Sequence, residues 1–340
     1  MVDERFVAFL RTFSARAFKS VRRGGHCGLK ARWCGTSAFC LLWSVSVFSV
    51  PVSARQQQHH RPALQASDIG RRVELRSPFA SRVIDYSPGD GQFVNDPNFN
   101  DPVRALGAPI GGGTLNPDQS KLVTLGGHGG SITLGFNGTV RDDPTNPFGL
   151  DCIVFGNSFY LGGNPNVRFA EAAIIEISRD DNGNGMPDDA WYLIPGSDLF
   201  DPMNQRRNGF FVLPDDPYAS PPLWNRNSDG RESYWGYGDV TPVLLRGDLD
   251  GDNVVDDPNL RAELFYTVPD DPFTVGITPG SGGGDAFDIA WAVDPVTDER
   301  VFLDGFDFIR ITTGADGDAG QFGEVSTEIG GVASVAAVTR

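Results

Sequence analysis

Two short stretches of this sequence place oxygen-bearing side chains at alternate positions, the spacing that wraps a hard cation. The first runs Arg179-Asp180-Asp181-Asn182-Gly183-Asn184-Gly185-Met186-Pro187-Asp188-Asp189. Taking Asp180 as position 1, side-chain oxygens fall at 1, 3, 5 and 9, on Asp180, Asn182, Asn184 and Asp188. Gly185 at position 6 permits a sharp turn, and Met186 at position 7 offers its main-chain carbonyl. The second stretch repeats the spacing with Asp248, Asp250, Asp252 and Asp256, and Val254 stands at position 7. Both predict an EF-hand-type calcium loop. Both also depart from the full pattern at position 12, where Trp191 and Asn259 stand instead of a bidentate Glu. In the first loop Asp189 or a distant carboxylate has to supply that ligand. The competing reading of either loop is an Asp/Asn/Gly-rich turn held only by water. Two loops with one spacing in one acidic chain favour Ca2+ as a cofactor.

Other chemistry is sparse. His26 lies near the start, His59 and His60 in a polar leader, and His128 in a Gly-rich turn. Cys152 sits in the apolar run Cys152-Ile153-Val154-Phe155 and reads as a buried small hydrophobe. Ser131 lacks the strand–turn–helix setting of a nucleophile elbow, and neither Gly111-Gly112-Gly113 nor Gly282-Gly283-Gly284 leads into phosphate-loop residues. Paired carboxylates could support glycoside hydrolysis, the enzymatic alternative. With 44 Asp and Glu residues, however, close pairs arise by chance. One aromatic cluster, Trp224, Tyr234, Trp235 and Tyr237, lies among Asn, Arg and Asp side chains. Rings beside polar groups suit sugar stacking, although the same rings could cap a core.

The elements that must position these residues read as strands. Gly (42) and Pro (24) punctuate the chain, and no stretch after Arg55 holds a helical period. Short apolar or alternating runs are predicted as strands at 82–87, 121–125, 131–136, 152–155, 172–178, 191–194, 210–213, 262–268, 273–277, 287–293, 308–312 and 332–338. The two runs flanking Gly126-Gly127-His128-Gly129-Gly130 suggest a hairpin. The predicted class is all-β, a jelly-roll-like β-sandwich with long Gly/Pro/Asp-rich loops. The expected organisation is a signal peptide over 1–54, a flexible leader over 55–75 and one domain over 76–340.

The signal expectation rests on a basic N-terminal region, an apolar run from Ala38 to Val50, and the small-residue site Val52-Ser53-Ala54. The run is too short to span a bilayer, which takes about 20 residues, and no lasting membrane span is expected. Eight of the 28 Lys and Arg but only two of the 44 Asp and Glu precede Ala54. The remainder therefore carries 20 basic against 42 acidic residues, a net charge of −22 where the whole chain has −16. Such a surface excludes nucleic acid and anionic lipid as partners.

Several segments resemble a family of uncharacterised bacterial secreted and cell-surface proteins. They are Asp85 to Asn95, Leu125 to Ile132, Val154-Phe155-Gly156-Asn157-Ser158-Phe159, Asn182 to Tyr192 and Phe322-Gly323-Glu324-Val325-Ser326-Thr327-Glu328. Many members of that family have an aromatic where His128 stands. The stretch from Gly247 to Asp256 also resembles the calcium loop of dockerin modules, without a second repeat. The family resemblance implies a β-rich protein of the cell exterior, some of whose relatives accompany nutrient-uptake systems. The expectation is an exported, calcium-binding β-sandwich protein that captures an extracellular ligand such as a glycan. The alternatives are a carbohydrate-active hydrolase and a structural envelope protein without a small ligand.

Overall fold

The structure of the protein is a computed structural model, and it describes residues 77–91, 93–164, 168–195, 238–239, 241–271, 277–314 and 326–335. Residues Arg76–Arg340 form one compact unit. The fold is all-β: its described strands lie in antiparallel sheets, and its described α-helix is the single turn Ala262–Phe265.

The largest sheet has five strands in the order β1 (Arg82–Ser87), β3 (Ser131–Arg141), β10 (Gly305–Thr313), β7 (Ala173–Ser178) and β8 (Trp191–Leu193). A three-stranded sheet runs β12 (Gly331–Ser334), β4 (Cys152–Phe155) and β9 (Asp285–Phe287). Two short pairs complete the described ladders: β11 (Glu328–Ile329) with β2 (Val123–Thr124), and β5 (Phe159–Tyr160) with β6 (Arg168–Phe169). Strands β7 and β10 are rich in the β-branched and aromatic residues that suit a pleated, half-buried surface. In β7, Ala173, Ile175 and Ile177 are fully buried while Ile174 and Glu176 are less so, the period-2 alternation of a strand with one face on a core. One hydrophobic core takes residues from both larger sheets. Phe287 of β9 stacks on Phe306 of β10 at 6.1 Å, and Phe136 of β3 meets the same ring edge-on at 5.8 Å. Burying rings of this size contributes roughly 1.5–3 kcal/mol each. Cys152 is a buried free thiol within this core.

Three strand expectations are corrected. The runs flanking Gly126–Gly130 do not pair as a hairpin: β2 pairs with β11, and β3 lies between β1 and β10. The local pattern identified both strands, but their partners come from distant sequence, and the Leu125 amide donates to the Thr327 carbonyl instead. The run 262–268 begins as a helical turn, closed by Tyr266 N–H to the Ala262 carbonyl and by the Thr267 hydroxyl to the Glu263 carbonyl. Its Ala-Glu-Leu start favours helix over strand. In 287–293 the strand stops at Phe287, because the Asp288 side chain accepts from the Ala290 amide and caps the 3-10 turn Ile289–Trp291. The run 210–213 and most of 273–277 lie outside the described residues, as does everything before Ser77. No helix among the described residues is long and apolar enough to cross a membrane.

Candidate metal centres

The first loop joins β7 to β8, whose pairing ends on Ser178 opposite Trp191. The ladder thus brings both ends of the loop side by side, and local hydrogen bonds shape the rest. Asp180 accepts from the amides of Asn184 (3.0 Å) and Gly185 (2.9 Å), one on each carboxylate oxygen. Asn182 Oδ1 also accepts from the Asn184 amide, and Asn184 Oδ1 from the Met186 amide. Asp188 closes the ring, accepting from Nδ2 of Asn182 (3.0 Å) and of Asn184 (2.9 Å). These bonds hold the Asp188 carboxyl below its ordinary value. The sequence-derived ligands Asp180, Asn182, Asn184 and Asp188 are therefore brought together, with Gly183 and Gly185 in the left-handed conformation (φ 69° and 76°). The amide groups of Asn182 and Asn184 turn donors toward Asp188; rotation of either head would present an oxygen instead. Asp189 accepts from the Asp181 amide, and the Asp180 amide donates to Asp307 of β10. Trp191 at position 12 carries the Arg310 guanidinium 4.3 Å above its ring.

The second loop converges more tightly. Asp248, Asp250 and Asp256 each place a carboxylate oxygen within 4.8 Å of the others, close enough to hold a metal ion. Asp248 is buried and accepts from the Gly251 (2.8 Å) and Asn253 (2.9 Å) amides, one on each oxygen. Asp256 accepts from the Leu249 amide, and Asp252 from the Val254 amide. Asp252 lies outside the three-carboxylate group, and Val254 stays exposed with its carbonyl as the remaining candidate at position 7. Position 6 is Asn253, at φ 67°, where the first loop has Gly185. Asn tolerates this conformation better than other non-glycine residues. Its side chain also exchanges hydrogen bonds with Thr114: Oδ1 accepts from the Thr114 amide (2.8 Å), and Nδ2 donates to the Thr114 hydroxyl (3.0 Å).

A third group was not foreseen from the sequence. Glu171, Asp239 and Glu328 place carboxylate oxygens within 4.8 Å of one another, and all three are buried. The three acids and the turn that binds Asp239 come from four segments. Glu171 precedes β7, Glu328 opens β11, Asp239 belongs to a short described segment, and the turn Gly156-Asn157-Ser158 follows β4. Asp239 Oδ1 accepts from the amides of Asn157 and Ser158, both at 2.7 Å. Asp239 lies so close to Gly156 that a Cβ there would sit 2.3 Å from its Oδ1. Its own amide donates to Asp285, which also accepts from Thr241. Glu328 Oε1 accepts from the hydroxyls of Thr124 (3.2 Å) and Ser326 (2.7 Å), and Oε2 from Asn157 Nδ2 (3.2 Å). Burial first, then the charge of the neighbouring carboxylates, pushes Glu171 and Asp239 well above the ordinary carboxylate range. Burial also raises Glu328. The signal present in the sequence was acids set against apolar strands: Glu171 before Ala172-Ala173-Ile174-Ile175 and Glu328 before Ile329.

A fourth group, Asp142, Asp151 and Asp288, meets the same distance limit but differs in chemistry. Asp151 already accepts three donors, the Asp143 and Ile289 amides and Asn146 Nδ2. Burial pushes Asp151 up to about 7 and Asp288 up to about 6, and carboxylate oxygens of the two lie within 4.8 Å of each other. That arrangement suits a shared proton.

His128 is exposed. The aromatic residues Trp224, Tyr234, Trp235 and Tyr237 lie outside the described residues. The chain matches no protein-family model and no curated protein.

Proposed function

We propose that this is an exported calcium-binding β protein of the cell exterior, whose loops at Asp180–Asp188 and Asp248–Asp256 each take up Ca2+. The observation that carries the reading is the second loop. Three of its carboxylates converge within 4.8 Å, and main-chain amides already orient Asp248 and Asp256. Unscreened carboxylates at that spacing repel one another, and a divalent cation between them reverses the sign of the interaction. All candidate ligands are oxygens, the donor set of hard cations. Their number and the flexible loops favour Ca2+, with its six to eight ligands, over Mg2+, which demands near-ideal octahedral geometry. The basic, then apolar, then small-residue N-terminus supports export. The aromatic run from Trp224 to Tyr237 is the part of the chain we assign to an extracellular ligand such as a glycan.

Titration of the full chain with calcium by calorimetry tests this reading. Binding with a dissociation constant of roughly 10⁻³ M or tighter is expected, together with a melting temperature that falls in chelator and recovers better with calcium than with magnesium. No heat of binding and identical melting curves in chelator and millimolar calcium would overturn it.

A further inference from the structure

We propose that the buried group Glu171, Asp239 and Glu328, completed by Asn157 and Ser158, is a separate internal calcium site that ties four distant segments of the chain together. It stands on residues outside both loops and does not depend on them.

The acids alone would not make a site; two further side chains point to a ligand. The Asn157 head donates through Nδ2 to Glu328 Oε2, and the main-chain amide of the same residue donates to Asp239 Oδ1. The other end of that head, Oδ1, is closed off from solvent and has no hydrogen-bond partner. Ser158, 1% exposed, gives its amide to the same Asp239 oxygen, while its Oγ is also buried and without a partner. A buried polar atom left unpaired costs about 1–3 kcal/mol, so two of them on adjacent residues that are hydrogen-bonded to this group call for an explanation. An ion supplies it. The amide oxygen and the hydroxyl oxygen would serve as neutral ligands beside the three carboxylates, an all-oxygen set.

The charge balance points the same way. Among the described residues, no Lys, Arg or His forms an ion pair with any of the three acids. A divalent cation would neutralise most of their charge where water cannot. A dry, enclosed site disfavours Mg2+, which gives up its water reluctantly, and favours Ca2+. The alternative is neutralisation by protons, with Glu171 hydrogen-bonded to Glu328 as an acid–carboxylate pair. That leaves Asn157 Oδ1 and Ser158 Oγ without a role.

The site would act as a cross-link. Asn157 and Glu328 are 171 positions apart, Ser158 and Asp239 81, and Ser326 and Glu171 155. An ion bound in the native state and not in the unfolded chain stabilises by mass action.

The test uses the full chain with both loops disabled at exposed positions by Asp188→Ala, Asp250→Ala and Asp256→Ala. After loading with calcium chloride and dialysis into calcium-free buffer, elemental analysis should find one calcium retained per chain. Adding Glu171→Gln, which keeps the shape and removes a charge, should abolish retention. It should also remove the calcium-dependent rise in melting temperature left in the loop-disabled chain. Asn157→Ala, which leaves every carboxylate in place, should weaken calcium binding at least about tenfold. The proposal is overturned if the loop-disabled chain retains no calcium, or if Glu171→Gln and Asn157→Ala leave retention and melting unchanged. The loops are read separately in the Glu171→Gln chain with both loops intact, so loss of one site does not hide the other.

Discussion

Asn157 and Glu328, 171 positions apart, are joined by a 3.2 Å hydrogen bond from the Asn157 amide group to the Glu328 carboxylate. Around that bond meet two segments that the sequence offered only as a resemblance, Gly156-Asn157-Ser158 and Ser326-Thr327-Glu328, with Glu171 and Asp239 between them.

Asn157→Asp tests what this contact contributes. The substitution removes the donor to Glu328 and places a fourth carboxylate beside three buried ones. In chelator, a loss of about 1–3 kcal/mol is expected from the missing hydrogen bond alone, with more from repulsion, read as a lower denaturant midpoint. An unchanged midpoint would show that the contact contributes nothing to stability.

Gly156→Ala should be among the most damaging single-methyl changes in the protein. The added Cβ would lie 2.3 Å from Asp239 Oδ1 and 2.8 Å from its Cβ. Asp239 is held by amides on one side and by Asp285 on the other and has little room to move. Overpacking of this kind costs typically about 1–3 kcal/mol. A melting temperature within error of the parent would show that the turn can yield.

Asn253→Ala should weaken the second calcium loop without touching a carboxylate. The change leaves the Thr114 amide without its acceptor and puts a residue less suited to φ 67° at the sharp turn. The expected result is a weaker calcium affinity at that loop by calorimetry and a stability loss on the order of 1–3 kcal/mol. Calcium affinity equal to the parent's would mean that the tie to Thr114 does not preorganise the loop.

The Asp151–Asp288 pair sets a pH dependence. Both carboxyls are raised, by burial first, so the folded state holds protons that the unfolded chain, with carboxylates near about 4, releases. A raised acid contributes stability that is complete below the unfolded value and is lost as pH rises through the folded one. The contribution should therefore fade between about pH 4 and 7, the upper end set by Asp151 at about 7 and Asp288 at about 6. Asp142 adds repulsion at both groups, and Arg300 opposes it at Asp288. Asp288→Asn supplies a permanent donor to Asp151 and should flatten this part of the profile. A denaturant-midpoint series in chelator over that range checks it: equal slopes in parent and variant would refute the shared proton.

The sequence by itself determined what is local. The loop at Asp180–Asp188 closes on its own atoms, with every bond among Asp180, Asn182, Asn184 and Asp188 spanning six positions or fewer. A contiguous spacing of Asp, Asn and Gly therefore sufficed to bring those residues together. The all-β class was legible for the same reason, since alternation in runs such as Ala173–Ser178 is a property of neighbours. Only the tertiary structure decided partners. Val123–Thr124 found Glu328–Ile329 rather than the strand just beyond the glycines, because ladder pairing depends on which faces share a core and not on proximity in sequence. The short apolar run at 262–268 carried no period that separates a helical turn from a strand. The group of Glu171, Asp239 and Glu328 could not be read at all from spacing. Each acid stands alone in its own segment, and only the folding of those segments onto one core brings the three carboxylates within 4.8 Å of one another, with the Asn157 and Ser158 amides on Asp239.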